Sequence, residues 1–81
     1  MHTGAVEFRL SGPSGRPYAL EVFDVRGRRV ARVTQGVIGT EAVSGNWSQA
    51  DDSGRRVPAG AYWLRASLGE QQLVRRLLLL R

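Results

Sequence analysis

The residues of this chain best equipped for chemistry are two neighbouring carboxylates, Asp51 and Asp52, followed by Ser53 and Gly54. Clustered oxygens on a turn suit a hard cation, which makes Asp51 and Asp52 weak calcium candidates, although their spacing is not that of a full EF-hand loop. The plainer reading is a solvated turn whose acids bond nearby backbone amides. As a catalytic pair they are poorly placed, because a two-carboxylate hydrolase needs groups that face each other across a substrate in a sizeable cleft. The only histidine, His2, lies beside the first residue, so no Ser-His-Asp arrangement or histidine metal cluster can be assembled. With no cysteine there is neither a disulfide nor a Cys-based metal framework. The sequence therefore offers no catalytic and no cofactor-binding residue, and the expectation is a non-enzymatic module without cofactor.

Charge adds less than its size suggests. All twelve basic residues are arginine and the net charge is +5. The arginines are scattered, with doublets at turns and strand edges, whereas a nucleic-acid footprint concentrates them on one stripe beside stacking aromatics or a known module. A solvated, aggregation-resistant surface is the expectation, with no nucleic-acid partner. Membrane insertion is not expected either, since the longest apolar run, Leu77 to Leu80, is far short of the roughly 20 residues that span a bilayer. No charged-then-apolar leader follows Met1. Residues 1–4 are expected to be disordered or expression-derived, and 5–81 to form one domain.

The elements that must position these residues follow a period of two, as strands with one buried face require. Val6, Phe8 and Leu10 alternate with Glu7 and Arg9. A loop over 11–17 with two prolines and two glycines leads to a second strand, Tyr18 to about Val25, with Leu20 and Val22 on one face and Glu21 and Phe23 on the other. Asp24 and Gly27 are the turn residues of a hairpin returning through Arg28 to Val33. Gly36 and Gly39 bracket the next turn, and Thr40 to Trp47 is a weaker strand ending in a bulky core plug. Gly54 opens the following turn, where only Arg55 to Val57 can pair briefly. From Ala61 to Leu68 the pattern sharpens, with Tyr62, Leu64, Ala66 and Leu68 facing inward and Trp63, Arg65 and Ser67 outward. Gln71 to Leu80 closes the chain. The count is about seven short antiparallel strands at turn spacings typical of an all-β sandwich.

These residues also carry a resemblance. Leu20-Glu21-Val22-Phe23-Asp24-Val25-Arg26-Gly27-Arg28-Arg29-Val30 is similar to the "L-x-V-Y-D-x-x-G-R-x-V" hairpin of two related families. They are the immunoglobulin-like domain of the flagellar hook-capping protein and the type A C-terminal sorting domain of the type IX (Por) secretion system. Trp47, Asp51 to Arg55 and Val57 to Tyr62 resemble their second block, "W-D-G-x-D-x-x-G-x-x-V-P-x-G-x-Y", and Arg76 to Arg81 their closing basic-then-apolar strand. The likeness runs from about Leu20 to Arg81. The chain departs from the pattern at Trp47-Ser48-Gln49, where the families have Trp-Asp-Gly, and at Ala61, which replaces a branched residue.

The resemblance implies an immunoglobulin-like sandwich that acts as a C-terminal sorting or attachment module. Such a module directs an exported bacterial protein through the periplasm to the cell surface, with outer-membrane secretion machinery or a neighbouring passenger domain as partner. Its expected recognition residues are Pro58, Gly60 and Tyr62, which shape a displayed loop and strand. Beside them stand Leu77, Leu78, Leu79, Leu80 and Arg81, a strand end that a receptor could pair with by strand addition or, alternatively, a strand buried on both faces. A hook-cap-like assembly scaffold and an accessory carbohydrate- or protein-binding module of a secreted enzyme are the alternatives, Trp63 being the exposed aromatic contact in the last. A strand-mediated homodimer stays open.

Overall fold

The computed structural model describes residues 4–80. Met1 to Thr3, including His2, and the terminal Arg81 lie outside the described residues. Six strands form: β1 (Val6–Leu10), β2 (Pro17–Phe23), β3 (Arg29–Val37), β4 (Val43–Trp47), β5 (Gly60–Leu68) and β6 (Gln71–Leu79), with no helix among the described residues. β1 and β4 make a two-stranded sheet, and β3-β2-β5-β6 a four-stranded one, every pairing antiparallel.

The two sheets meet over a core in which Val6 and Trp47 from the small sheet pack with Val22, Ala31, Tyr62, Leu77 and Leu79 from the large one. Val57, from the loop before β5, completes it. Register accounts for who points inward. Leu20 opposite Ala66, Val22 opposite Leu64 and Tyr62 opposite Leu77 share one face, so the alternation of each strand sums into a single apolar surface. With no disulfide to help, burial of this cluster and backbone pairing must hold the fold.

Differences from the sequence expectation have local causes. The second strand stops at Phe23 rather than Val25 because the Asp24 carboxylate takes the backbone amides of Arg26 and Arg28 (2.9 and 3.0 Å), which diverts the chain into a turn. The third continues to Val37, past Gly36. There glycine serves a strand and not a turn: Tyr18 lies against it, and a Cβ at this position would come within 2.9 Å of the phenol oxygen. The fourth begins at Val43 and not at Thr40. The short pairing around Arg55 to Val57 reduces to one isolated bridge, Ala50 opposite Arg56, giving six strands. It cannot propagate, because Pro58 follows Val57 immediately and has no N–H to donate. The β5–β6 hairpin closes through Gly69 and Glu70, and Gly69 takes φ 60° at the first turn position, where a two-residue hairpin needs that freedom.

Candidate functional site

β6 is the outer strand of the large sheet. It pairs with β5 over nine residues, from Gly60 opposite Leu79 to Leu68 opposite Gln71, without a register shift. No strand among the described residues pairs with its other side, so half of its backbone N–H and C=O groups point away from the sheet. The side chains fall into two rows. Leu73, Arg75, Leu77 and Leu79 share the core-facing side; Gln72, Val74, Arg76 and Leu78 share the outer side with Trp63 and Arg65 of β5.

Burial along these rows is uneven. Leu77 and Leu79 are in the core, Leu79 with no exposed surface. Leu73, Val74 and Leu78 are 51%, 49% and 41% exposed, and Trp63, beside Val74 and Leu78 on the outer face, is 42% exposed. Leu73 also lines a groove with Leu10, Ala66 and Leu68, beside Ser11, Gln71 and Gln72. In the middle stand Arg75 and Arg76. Neither has an acidic partner among the described residues; the Arg75 guanidinium reaches only the carbonyl of Val74 (3.3 Å) in its own strand. A free backbone edge, apolar side chains at its flanks and two uncompensated cations at its centre can bind an extended polypeptide.

The outer face near the opposite edge is arranged differently. The buried Glu21 of β2 accepts from Arg65 Nη2 at 2.9 Å on one oxygen and from Arg29 and Arg32 at 3.3 and 3.5 Å on the other. The Arg65 bond is the strongest influence and holds the Glu21 carboxyl below its ordinary range, against burial, which pushes it up; Arg29 and Arg32 add to the lowering. Arg65 also lies over the Phe23 ring, 4.4 Å from its centre, while its Nε is buried without a hydrogen-bond partner.

The two acidic turns prove to be copies of one device. Asp24 and Asp51 each begin an Asp-x-x-Gly-Arg stretch. In each, the carboxylate accepts from the amides two and four residues on, the glycine amide donates to the aspartate carbonyl, and the aspartate amide donates to the arginine carbonyl. Gly27 and Gly54 take φ 82° and 90°, as their turns require. Backbone donation from Arg28 holds the Asp24 carboxyl low, and the Ser53 hydroxyl (2.7 Å) does most to lower Asp51. The repeat of Asp-x-x-Gly-Arg was the sequence signal for this shared geometry.

Asp52 does something else. Its Oδ1 accepts from the Arg32 amide (2.9 Å), its own amide donates to the Val30 carbonyl (3.2 Å), and its Oδ2 lies 3.5 Å from Arg29 Nε. The loop is thereby laid along β3. Of the calcium candidates, Asp51 Oδ1 and both carboxylate oxygens of Asp52 are thus engaged within the protein, and no cluster of three potential metal ligands occurs among the described residues.

Of the other recognition candidates, Tyr62 is buried and donates its hydroxyl to the Pro58 carbonyl (2.7 Å), fixing Pro58 against the start of β5, whose first residue is Gly60. Gly60 takes φ 147°, a conformation that favours glycine. Leu78 alone among Leu77 to Leu79 faces outward, and Leu80 is half-buried. Trp63 is the single strongly exposed aromatic ring among the described residues, and Phe23 beside it is covered by Arg65, so the face lacks the paired rings of a sugar platform.

Gln49 is a residue whose role the sequence did not reveal. It stands where the resembled pattern has glycine, and it adopts φ 65° while fully buried. Left-handed backbone costs a non-glycine residue about 1–2 kcal/mol. Here the side chain donates to the Gly4 carbonyl and the main-chain carbonyl accepts from the Val57 amide (2.8 Å), tying the chain start and the loop together. Arg75, Arg76, Val74 and Leu73 were also passed over, because an edge strand cannot be told from a central one by alternation alone. Searches of protein-family models, of curated proteins and of solved structures each return no match to this chain.

Proposed function

We propose that this domain is a non-catalytic attachment module, an immunoglobulin-like sandwich that sorts an exported bacterial protein to outer-membrane secretion and surface-anchoring machinery through its β6 strand. The observation that carries the reading is the open, unbulged β6 edge, flanked by exposed Leu73, Val74 and Leu78. Strand addition to such an edge supplies affinity through main-chain hydrogen bonds and selectivity through alternate side chains. The resemblance of Leu20 to Arg81 to type IX sorting domains supplies the kind of partner. Pro58, Gly60 and Tyr62 support recognition indirectly, by fixing where β5, and hence β6, begins and ends.

The test fuses the domain to a secreted reporter in a type IX-competent host. Deleting the strand end would remove Leu77 and Leu79 from the core and report on folding alone. Val74→Lys with Leu78→Lys leaves the core rows intact and alters only the outer side of the edge. Surface delivery should fall while the reporter still accumulates in the periplasm; delivery at the unmodified level would refute the reading.

A further inference from the structure

We infer that the β6 edge is built to receive an extended segment of another protein carrying two adjacent acidic residues with apolar residues on either side. This deepens the proposed attachment role and rests on it only for where the partner resides.

The centre of β6 is Leu73-Val74-Arg75-Arg76-Leu77-Leu78, two apolar residues, two arginines and two apolar residues. Because successive side chains alternate, Arg75 lies on the core-facing row and Arg76 on the outer row. A strand added to this edge therefore meets one positive charge on each of its faces, at consecutive positions. Opposite charges directly across a pair stabilise it and like charges destabilise it. The matching segment carries an acidic residue opposite each arginine. On the outer face its apolar neighbours meet Val74 and Leu78; on the inner face one covers Leu73 and the groove it forms with Leu10, Ala66 and Leu68. The apolar-acidic-apolar pattern is symmetric, so it matches in either strand direction.

The same arginines select against a second copy of this chain. In full antiparallel register, with Gln71 opposite Leu79, Arg75 falls directly opposite itself in the copy. Sliding the copy by two residues toward the carboxyl end places Arg76 opposite itself. The opposite slide relieves the clash only by giving up overlap and setting Arg75 against Leu73. Self-pairing and acidic pairing thus make contrary demands on one pair of residues. The compensated arginines elsewhere on the same sheet, Arg29, Arg32 and Arg65, show that an internal acidic partner is available to this fold where cations are to be neutralised. β6 has none among the described residues.

The experiment uses the whole domain and fluorescent peptides in which two adjacent glutamates, or two adjacent lysines, are flanked by valine and leucine. Anisotropy should show the glutamate peptide binding, with the lysine peptide weaker by about tenfold or more, the ratio expected from exchanging two attractive cross-strand pairs for two repulsive ones. The preference should shrink as salt is raised. Binding should quench amide exchange at alternate β6 residues and vanish when a proline replaces a central residue of the peptide. Arg75→Glu with Arg76→Glu, checked for folding by circular dichroism, should reverse the preference. Equal binding of both peptides, or binding of neither, would overturn the inference on the unmodified domain alone, as would a dimer by sedimentation or an equal affinity for anionic lipid vesicles that displace the peptide. Peptide selectivity without any effect of Val74→Lys and Leu78→Lys on delivery would keep the acidic partner and remove the sorting role; the converse would remove the acidic partner and keep the role.

Discussion

At one edge of the large sheet Arg29 and Arg32 fold back onto Glu21, and Asp52 from the β4–β5 loop bonds the Arg32 amide and the Val30 carbonyl. At the other edge Arg75 and Arg76 have no acidic partner among the described residues, and no described strand pairs beyond β6. The β2–β3 pairing is broken by two register shifts, between Leu20 and Glu21 and between Val22 and Phe23, whereas β5–β6 runs straight. Bulges, paired charges and a covering loop are the means by which proteins close an edge to further pairing. β3 has all three. β6 has only its bare arginines, which repel a like strand while leaving the backbone reachable. The lesson is that the same residue type can shut an edge or tune it, depending on whether an acid lies within the fold.

The largest effect is expected at Glu21, on which the closed β3 edge converges. Glu21→Gln should cost about 1–3 kcal/mol in urea unfolding, because three partly exposed guanidiniums lose the buried negative charge they share and one of its acceptor oxygens becomes an NH2 donor. Its pH dependence has a definite sign. The folded carboxyl lies below its unfolded value, so its contribution is fully present above the unfolded value and is lost as pH falls through the folded one. The unmodified domain should therefore lose stability on acidification below the ordinary glutamate range, and Glu21→Gln should flatten that loss. An unchanged acid slope would mean that the arginine cluster does not hold β3. A smaller effect is expected from Asp52→Ala, under about 1 kcal/mol, since its side chain is half exposed. The sharper readout is hydrogen exchange: the Arg32 amide should lose protection while the β6 amides keep theirs, uncovering one edge without touching the other.

Much of this arrangement was legible in the residues. Strict alternation from Ala61 to Leu68 placed Tyr62 and Leu64 inward and Trp63 and Arg65 outward, as found, because burial on one face leaves no other solution. The Asp24 and Gly27 turn was equally plain. Strand order was not. Nothing local distinguishes Arg29-Val30-Ala31-Arg32 from Val74-Arg75-Arg76-Leu77 as edges, since the difference lies in Glu21 and Asp52, brought close by pairing across the sheet. Gly36 misled for a related reason: its use as a slot for Tyr18 depends on a neighbour eighteen positions earlier, not on its own turn propensity. Gln49 shows the same limit in reverse, a residue unsuited to its backbone that is retained there by partners at Gly4 and Val57.

The smallest expected effect is also the most discriminating between the edges. Val74→Lys changes a half-exposed residue on the outer row of β6, leaves β5 pairing intact and adds a charge beside Arg76. Surface substitutions of this kind normally move stability within about 0.5 kcal/mol. If β6 is an open edge, urea midpoints of the two proteins should coincide within that margin, while the glutamate peptide, whose apolar flank meets Val74, should bind more weakly. A loss well above 1 kcal/mol would show that the outer row is already covered in solution, and β6 would then be a closed edge like β3. Stability measured alone thus decides whether the surface is free, and peptide affinity measured on the same variant decides whether it is used.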